Sequence, residues 1–298
     1  MKMMTYLSYD DVLHSSLDYE EPEEEIVKIY KINHKTNHKT NYKINLDENA
    51  KLLKPIKDLF KTKKSNIAML MGAGPSINEI TEDIYTKIKK HDIWTLNNFI
   101  YHPFIIPNYY YLELKKYNFD NFKQRMEEKR EQYKNVKFII SNKKSNNVNA
   151  IGRNHRHVYG YDYTHYRSHD NALANITVPI DANYKMSSKN LTKSYDMSLS
   201  IILEILYKMN YHHIILWGVD LKTSYYFWSD RDPKWGKVCH YTNKEHEGKD
   251  PNLPHATANR CEDFVYDFNE RWMKPLNKEI LVGTKNTLLY PKLRYVKI

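Results

Sequence analysis

Gly72-Ala73-Gly74-Pro75-Ser76 is the stretch of this chain whose spacing most directly suggests chemistry. It follows the apolar run 67–71 and precedes an amphipathic stretch reaching Lys90. That order reads as strand, tight turn and helix. Gly72 and Gly74 allow a close backbone approach that a side chain would forbid. Pro75 suits the first helical position, and Ser76 offers a hydroxyl beside the exposed N–H groups. Such a turn presents unpaired donors and the positive end of a helix dipole to an anion, usually a phosphate. The stretch lacks the full dinucleotide fingerprint and the Lys-Ser/Thr of a P-loop, so a tight turn without a ligand stands as the alternative.

Other polar residues fall where a parallel sheet would gather them. Asn97, Asn98, Glu113, Ser141 and Asp220 each end or closely follow a short apolar or aromatic run. In open α/β sheets, ligands bind outside the carboxyl ends of the strands. Asp220 has a structural alternative, capping a turn or a neighbouring helix. Residues 152–171 are rich in His, Arg and Tyr and read equally as an anion- or sugar-contacting loop or a solvated one. No pair there has HExxH spacing, and Cys239 and Cys261 form no CxxC, so neither a zinc site nor a disulfide framework is indicated. Asp230-Arg231-Asp232 is formally DxD, but it lies in a long irregular connection rather than at a strand end.

The positioning elements follow from periodicity. Strands are expected over 67–71, 93–97, 107–114, 136–141, 213–220 and 279–283. Helices are expected over 119–133, over 194–209 with Ser194 as N-cap, and over 256–273 with His255 at its start. Residues 142–190 read as polar and irregular. Residues 221–254, rich in Tyr, Trp, Lys and His, read as a lid or binding loop. The β-α-β alternation predicts an α/β fold with a mainly parallel sheet flanked by helices. Residues 1–65 read as an extension, acidic over 18–25, then basic with the micro-repeat HKTNHKTN. Residues 66–298 read as the folded domain.

The 298 residues, 41% of them hydrophobic, support one large domain or two small ones, and a net charge of +10 favours anionic partners without choosing among them. The amino terminus lacks a signal-peptide core, and no apolar run approaches the ~18 residues that a membrane span needs. A soluble, cytoplasmic protein is expected, with contact at a membrane surface left open.

Taken in order, these pieces resemble the bacterial sialyltransferases of glycosyltransferase family 42 and the wider group of nonulosonate and Kdo transferases. The likeness rests on the Gly72–Ser76 turn, Asn97 about twenty residues later, the long 194–209 helix and Gly218-Val219-Asp220-Leu221. The Tyr225-Tyr226 pair, His255 at a helix start and Asn286-Thr287-Leu288-Leu289 complete it. It runs from about residue 66 to 289. It implies a Rossmann-like, GT-A-type domain with an irregular lid, a CMP-sugar donor, inversion at the anomeric carbon, and neither cofactor nor metal. Carried over by motif, Gly72, Ala73, Gly74, Pro75 and Ser76 would hold the CMP end of the donor, with Asn97 beside them. Ser198, ahead of Ser200, would lie near the donor carboxylate. Tyr225 and Tyr226 would serve the phosphate, and His255 would be the general base, with His240 and His246 behind it. The chain departs from the family at Ala73 and at Glu113, where the family has Asn. The partners implied are a CMP-sugar and a glycan or glycolipid acceptor, with no nucleic acid and with self-association left open.

The chemistry is coherent in its own right. A departing nucleotide phosphate needs donors to stabilise it, which lid tyrosines and helix N-terminal amides provide. An acceptor hydroxyl needs a base with a pKa near neutrality, the usual task of histidine. Two other readings remain. One is a magnesium-dependent enzyme on the same scaffold, like the pterin pyrophosphokinases, with Glu113 and Asp220 as ligands. The other is a polyanion-binding module.

Overall fold

The computed structural model describes residues 48–114, 119–166, 169–174, 191–194, 197–222, 226–227 and 258–298. All of them fall within one compact unit. In chain order its elements are β1 (Lys54–Pro55), α1 (Ile56–Phe60), β2 (Ile67–Met71), a 3-10 turn (Pro75–Glu79) and α2 (Glu82–Ile88). Then come β3 (Asp92–Leu96), β4 (Tyr109–Leu112), α3 (Phe119–Glu128), α4 (Arg130–Tyr133) and β5 (Lys137–Ser141). A 3-10 segment (Asn142–Asn147) leads to α5 (Val148–Ile151), β6 (Val158–Tyr161), β7 (Tyr163–Tyr166), α6 (His169–Ala174) and β8 (Leu191–Ser194). The last elements are α7 (Ser198–Lys208), β9 (His213–Trp217), α8 (Ala258–Phe268) and β10 (Glu279–Val282).

Eight strands form one parallel sheet in the order β1-β6-β5-β4-β3-β2-β9-β10. The chain builds outward from β2 on one side, then returns to place β9 on the other. The order therefore reverses between β2 and β9. Both faces are covered, which is why the central strands read as continuous apolar runs. Ala68 and Leu70 pack with α7 and α8 on one face, while Met69 and Met71 pack with α2 and α3 on the other. The fold is the expected α/β, Rossmann-like architecture.

Several local expectations are corrected. The segment after the glycine turn is not one helix to Lys90. It is a 3-10 turn ending at Glu79, followed by α2, which Thr81 caps. Residues 119–133 break at Lys129, whose Nζ reaches the Ile100 and His102 carbonyls. Ser194 ends β8 instead of capping a helix, and the N-cap of α7 is Met197. α7 is not amphipathic in use, since every residue from Leu199 to Lys208 is buried between the sheet and its outer neighbours. Its Glu204 and Lys208 accordingly pair at 2.5 Å with no exposed surface. The 142–190 stretch is not uniformly irregular: β6 joins the main sheet, and β7 pairs with β8 in a second small sheet. Lys54–Pro55 pairs with β6, and Ile56 and Leu59 are buried, so part of the segment read as an extension joins the sheet and its core.

Candidate functional site

Among the described residues, those singled out by sequence at the carboxyl edge of the sheet divide into two groups. The first lies where β2 and β9 leave the sheet. The Gly72 N–H donates to the Trp217 carbonyl and the Gly74 N–H to the Gly218 carbonyl, each at 2.7 Å. The Ser76 N–H donates to Asp220 Oδ2 at 2.8 Å, and Ser76 Oγ donates to Asp220 Oδ1. Ser76 Oγ in turn accepts from the Gly218 N–H at 3.0 Å. The Ile77 N–H closes back on the Gly74 carbonyl. A Cβ on Gly72 would stand 2.3 Å from the Gly218 carbonyl oxygen, and one on Gly74 would stand 2.4 Å from Asp220 Oδ2. The glycines are thus required by the close approach of two chain segments.

This corrects the reading of the turn as an array of open donors. Its amides are spent on β9, Ser76 and Asp220 satisfy each other, and a five-residue 3-10 turn brings little dipole. Asp220 takes its structural alternative, with both carboxylate oxygens accepting from Ser76 at the start of the 3-10 turn. Burial pushes its carboxyl above the usual carboxylate range, and the two Ser76 hydrogen bonds oppose that rise. Ala73 keeps the one N–H of the turn to which no partner is assigned among the described residues. The Ala73 carbonyl accepts from Phe227 N–H at 2.9 Å, and Asn78 Nδ2 donates to the Phe227 carbonyl. Phe227 also packs against Phe99 and His102, so residues 226–227, a short piece of the segment expected to be a lid, are fastened to the turn. Tyr226 is half-buried beside it.

The second group lies where β3 and β4 end and α7 begins. Asn97 adopts a left-handed backbone, φ 50°, a region that asparagine tolerates better than most residues. Its Oδ1 accepts from the Glu113 N–H at 2.9 Å. Glu113 Oε2 accepts from Ser198 Oγ at 3.0 Å and from the Tyr111 hydroxyl at 3.2 Å. Glu113 Oε1 pairs with Lys144 Nζ at 2.8 Å, and the Glu113 side chain keeps 9% of its surface exposed. The Tyr111 hydroxyl meets that of Tyr161. Burial first, then its Tyr161 and Glu113 neighbours, hold the Tyr111 hydroxyl well above its ordinary range, so it stays neutral and donates. The buried Oδ1 of Asn98 finds no partner among the described residues. Asn97, Glu113 and Ser198, from three separate elements, are thereby brought into one hydrogen-bonded cluster.

Lys144, Tyr111 and Tyr161 were missed by sequence reasoning. The signal was present for Lys144, which follows β5 by three residues and so lies on the same rim. Tyr225, His255, His240, His246, most of the expected lid and the Asp230-Arg231-Asp232 pattern lie outside the described residues. Glu113 follows β4 and Asp220 follows β9, strands three places apart in the sheet. Among the described residues no three His, Cys, Asp or Glu side chains gather. No described helix is long and apolar enough to cross a membrane.

No protein-family model and no curated protein matches the chain. Solved structures that align with it include a variant of the sialyltransferase CST-II in complex with CMP. That match has 12% identity and a TM-score of 0.45, covering 77% of this chain and 86% of the other. CST-II in complex with a trisaccharide acceptor and CMP aligns at 12% identity and a TM-score of 0.43, over 78% and 86%. Monofunctional alpha-2,3-sialyltransferase Cst-I from Campylobacter jejuni aligns at 12% and 0.42, over 78% and 82%. Likeness at this level assigns no residue role and no activity.

Proposed function

We propose that the chain is a glycosyltransferase that moves an acidic sugar, sialic acid or a related nonulosonate or Kdo, from a CMP-sugar to a glycan hydroxyl. The observation that carries this reading is the Asn97–Glu113–Ser198 cluster at the carboxyl edge of a parallel sheet, next to the reversal of strand order. From the glycine turn to Glu113 is two strand spacings, about 10 Å, the reach of one nucleoside monophosphate. In this reading the nucleotide lies across the ends of β2, β3 and β4. Ala73 contributes its N–H, and Asn97, Glu113 and Ser198 provide polar contacts. Lys144 neutralises Glu113, which makes an acidic sugar compatible with a carboxylate in the site. Glu113 fills a position where the resembling family has Asn, so it is the residue through which donor choice in this chain would differ.

His255 would take the acceptor proton, and Tyr225 and Tyr226 would stabilise the departing phosphate. The reaction would invert the anomeric carbon and proceed without a metal. Thermal-shift measurement against CMP, UMP, GDP and AMP tests the donor class. A nucleotide at about 100 times its Kd adds about 2.7 kcal/mol of stability, and only CMP is expected to do so. Stabilisation by a purine nucleotide and not by CMP would overturn the reading. His255→Ala is expected to abolish transfer while CMP still binds, and activity should survive chelator.

A further inference from the structure

The strands of the main sheet all run the same way, so their leading segments share one edge, opposite the candidate site. Segments 61–66, 87–91, 134–136, 153–157, 210–212 and 277–278 lead into six of these strands and contain no Asp or Glu, although β3 and β10 themselves begin with Asp92 and Glu279. The dipole of α2 accounts for lysines at its C-terminus, such as Lys89 and Lys90. It does not account for Lys63, Lys64, Arg156 or Lys278, which precede strands, or for Lys137, the first residue of β5.

These cations crowd one another. Lys63 Nζ donates to the Asn210 carbonyl at 2.6 Å and Lys278 Nζ to Asn210 Oδ1, so two ammonium groups share one asparagine. Burial and then Lys278 hold the Lys63 ammonium below its ordinary range, and burial and then Lys64 do the same to Lys137. His157 is lowered by burial and then by Lys54, His155, Lys137 and Arg156. The repulsions therefore run along the edge from β10 to β1. The acids nearby are engaged. Asp92 is buried and accepts from the Lys64 and Ser65 N–H groups and the Tyr211 hydroxyl. Glu279 pairs with Arg294 at 2.6 Å, and Glu131 with Lys134 at 3.1 Å. Leu276, 44% exposed, lies two residues before Lys278.

We propose that this amino edge is a docking surface for an anionic lipid bilayer, with lysine and arginine heads over the lipid phosphates and Leu276 entering the interface. Eight strands make a band about 34 Å long. Basic side chains beside an exposed leucine are the composition that binds lipid interfaces. A single-stranded nucleic acid would need exposed aromatic rings for stacking. Here Tyr109 and Tyr211 are buried, with Lys137 and Lys63 each 4.9 Å from a ring centre. Docked this way, the carboxyl edge faces away from the lipid.

The test is vesicle co-sedimentation of the full chain with phosphatidylcholine alone and with phosphatidylcholine containing phosphatidylglycerol. Binding is expected only to the anionic vesicles, falling steeply with salt. Lys64→Glu, Lys90→Glu and Arg156→Glu, all at exposed positions, are expected together to weaken it about 100-fold. The same charge change at exposed Lys123, Lys285 and Lys297, away from this edge, should alter it less than about three-fold. Leu276→Ser should weaken vesicle binding about ten-fold and leave heparin binding unchanged. Equal losses from the two triple variants would overturn the proposal, as would equal binding to neutral vesicles. Insensitivity to Leu276→Ser would assign the edge to a soluble polyanion instead. If the edge triple variant does not fold, the salt dependence of the unaltered chain and the Leu276→Ser result decide the matter.

Discussion

Two neighbouring chain exits use similar side chains to opposite ends. Where β2 and β9 leave the sheet, a serine and an aspartate satisfy each other and fasten one crossover to the next. Where β3 and β4 leave it, a serine, a glutamate and an asparagine form a cluster that stays on the rim beside a lysine. A carboxylate whose two oxygens are filled by the adjoining turn maintains the fold. Glu113 has both oxygens filled as well, but by partners from three separate elements, Ser198, Tyr111 and a lysine whose side chain is 37% exposed. The residue types are alike, and the location of their partners decides the role.

The difference is open to test, beginning with the largest effect. Gly72→Ala pushes a Cβ against a backbone carbonyl that cannot move aside. It should cost about 4 kcal/mol, read by denaturant unfolding. Asp220→Ala leaves the Ser76 amide and hydroxyl without an acceptor and should cost about 3 kcal/mol, while any nucleotide affinity of the folded fraction changes little. If Asp220→Ala instead leaves stability intact and removes nucleotide binding, the closed junction is the site after all. Glu113→Ala should show the reverse pattern, a loss of transfer of about 100-fold with stability lowered by only about 1 kcal/mol.

The closed side also has a pH signature. Burial and then Lys129 push the His102 imidazole down to about 3, and its Nδ1 accepts from the Ile105 N–H. A lowered histidine means that the unfolded chain binds the proton first. Its contribution is complete above about pH 6.5 and is lost as pH falls toward 3. Between pH 7 and pH 4.5 stability should fall by about 2 to 3 kcal/mol, and His102→Asn should flatten that slope. The smallest effect expected is from Ser198→Ala, about ten-fold in transfer with an unchanged melting temperature, since Glu113 keeps Lys144 and Tyr111.

Much of the frame was legible. β2 was read residue for residue, and β5, β9 and β10 were located, because buried parallel strands are unbroken apolar runs. β6, Val158–Tyr161, was not read, since Gly160 and polar flanks hide it. β7 and β8 were invisible because each pairs with a strand far along the chain, and β1 because two residues containing proline carry no pattern. The rim residues Asn97 and Glu113 were legible from their positions at strand ends, and Ser198 only from the family resemblance, since the helix was expected to begin at Ser194; their mutual bonds were not legible.

By itself, the sequence determined that a glycine turn would follow the first long strand and that polar side chains would gather at one edge of a parallel sheet. Those are consequences of local chain geometry and of apolar runs that must be buried. Only the tertiary structure decided which polar groups stay available. Asp220 is 144 residues from Ser76, and the two meet because β9 inserts beside β2. An N–H faces a ligand or a neighbouring carbonyl according to what is placed next to it, and strand order, a property of the whole chain, makes that choice.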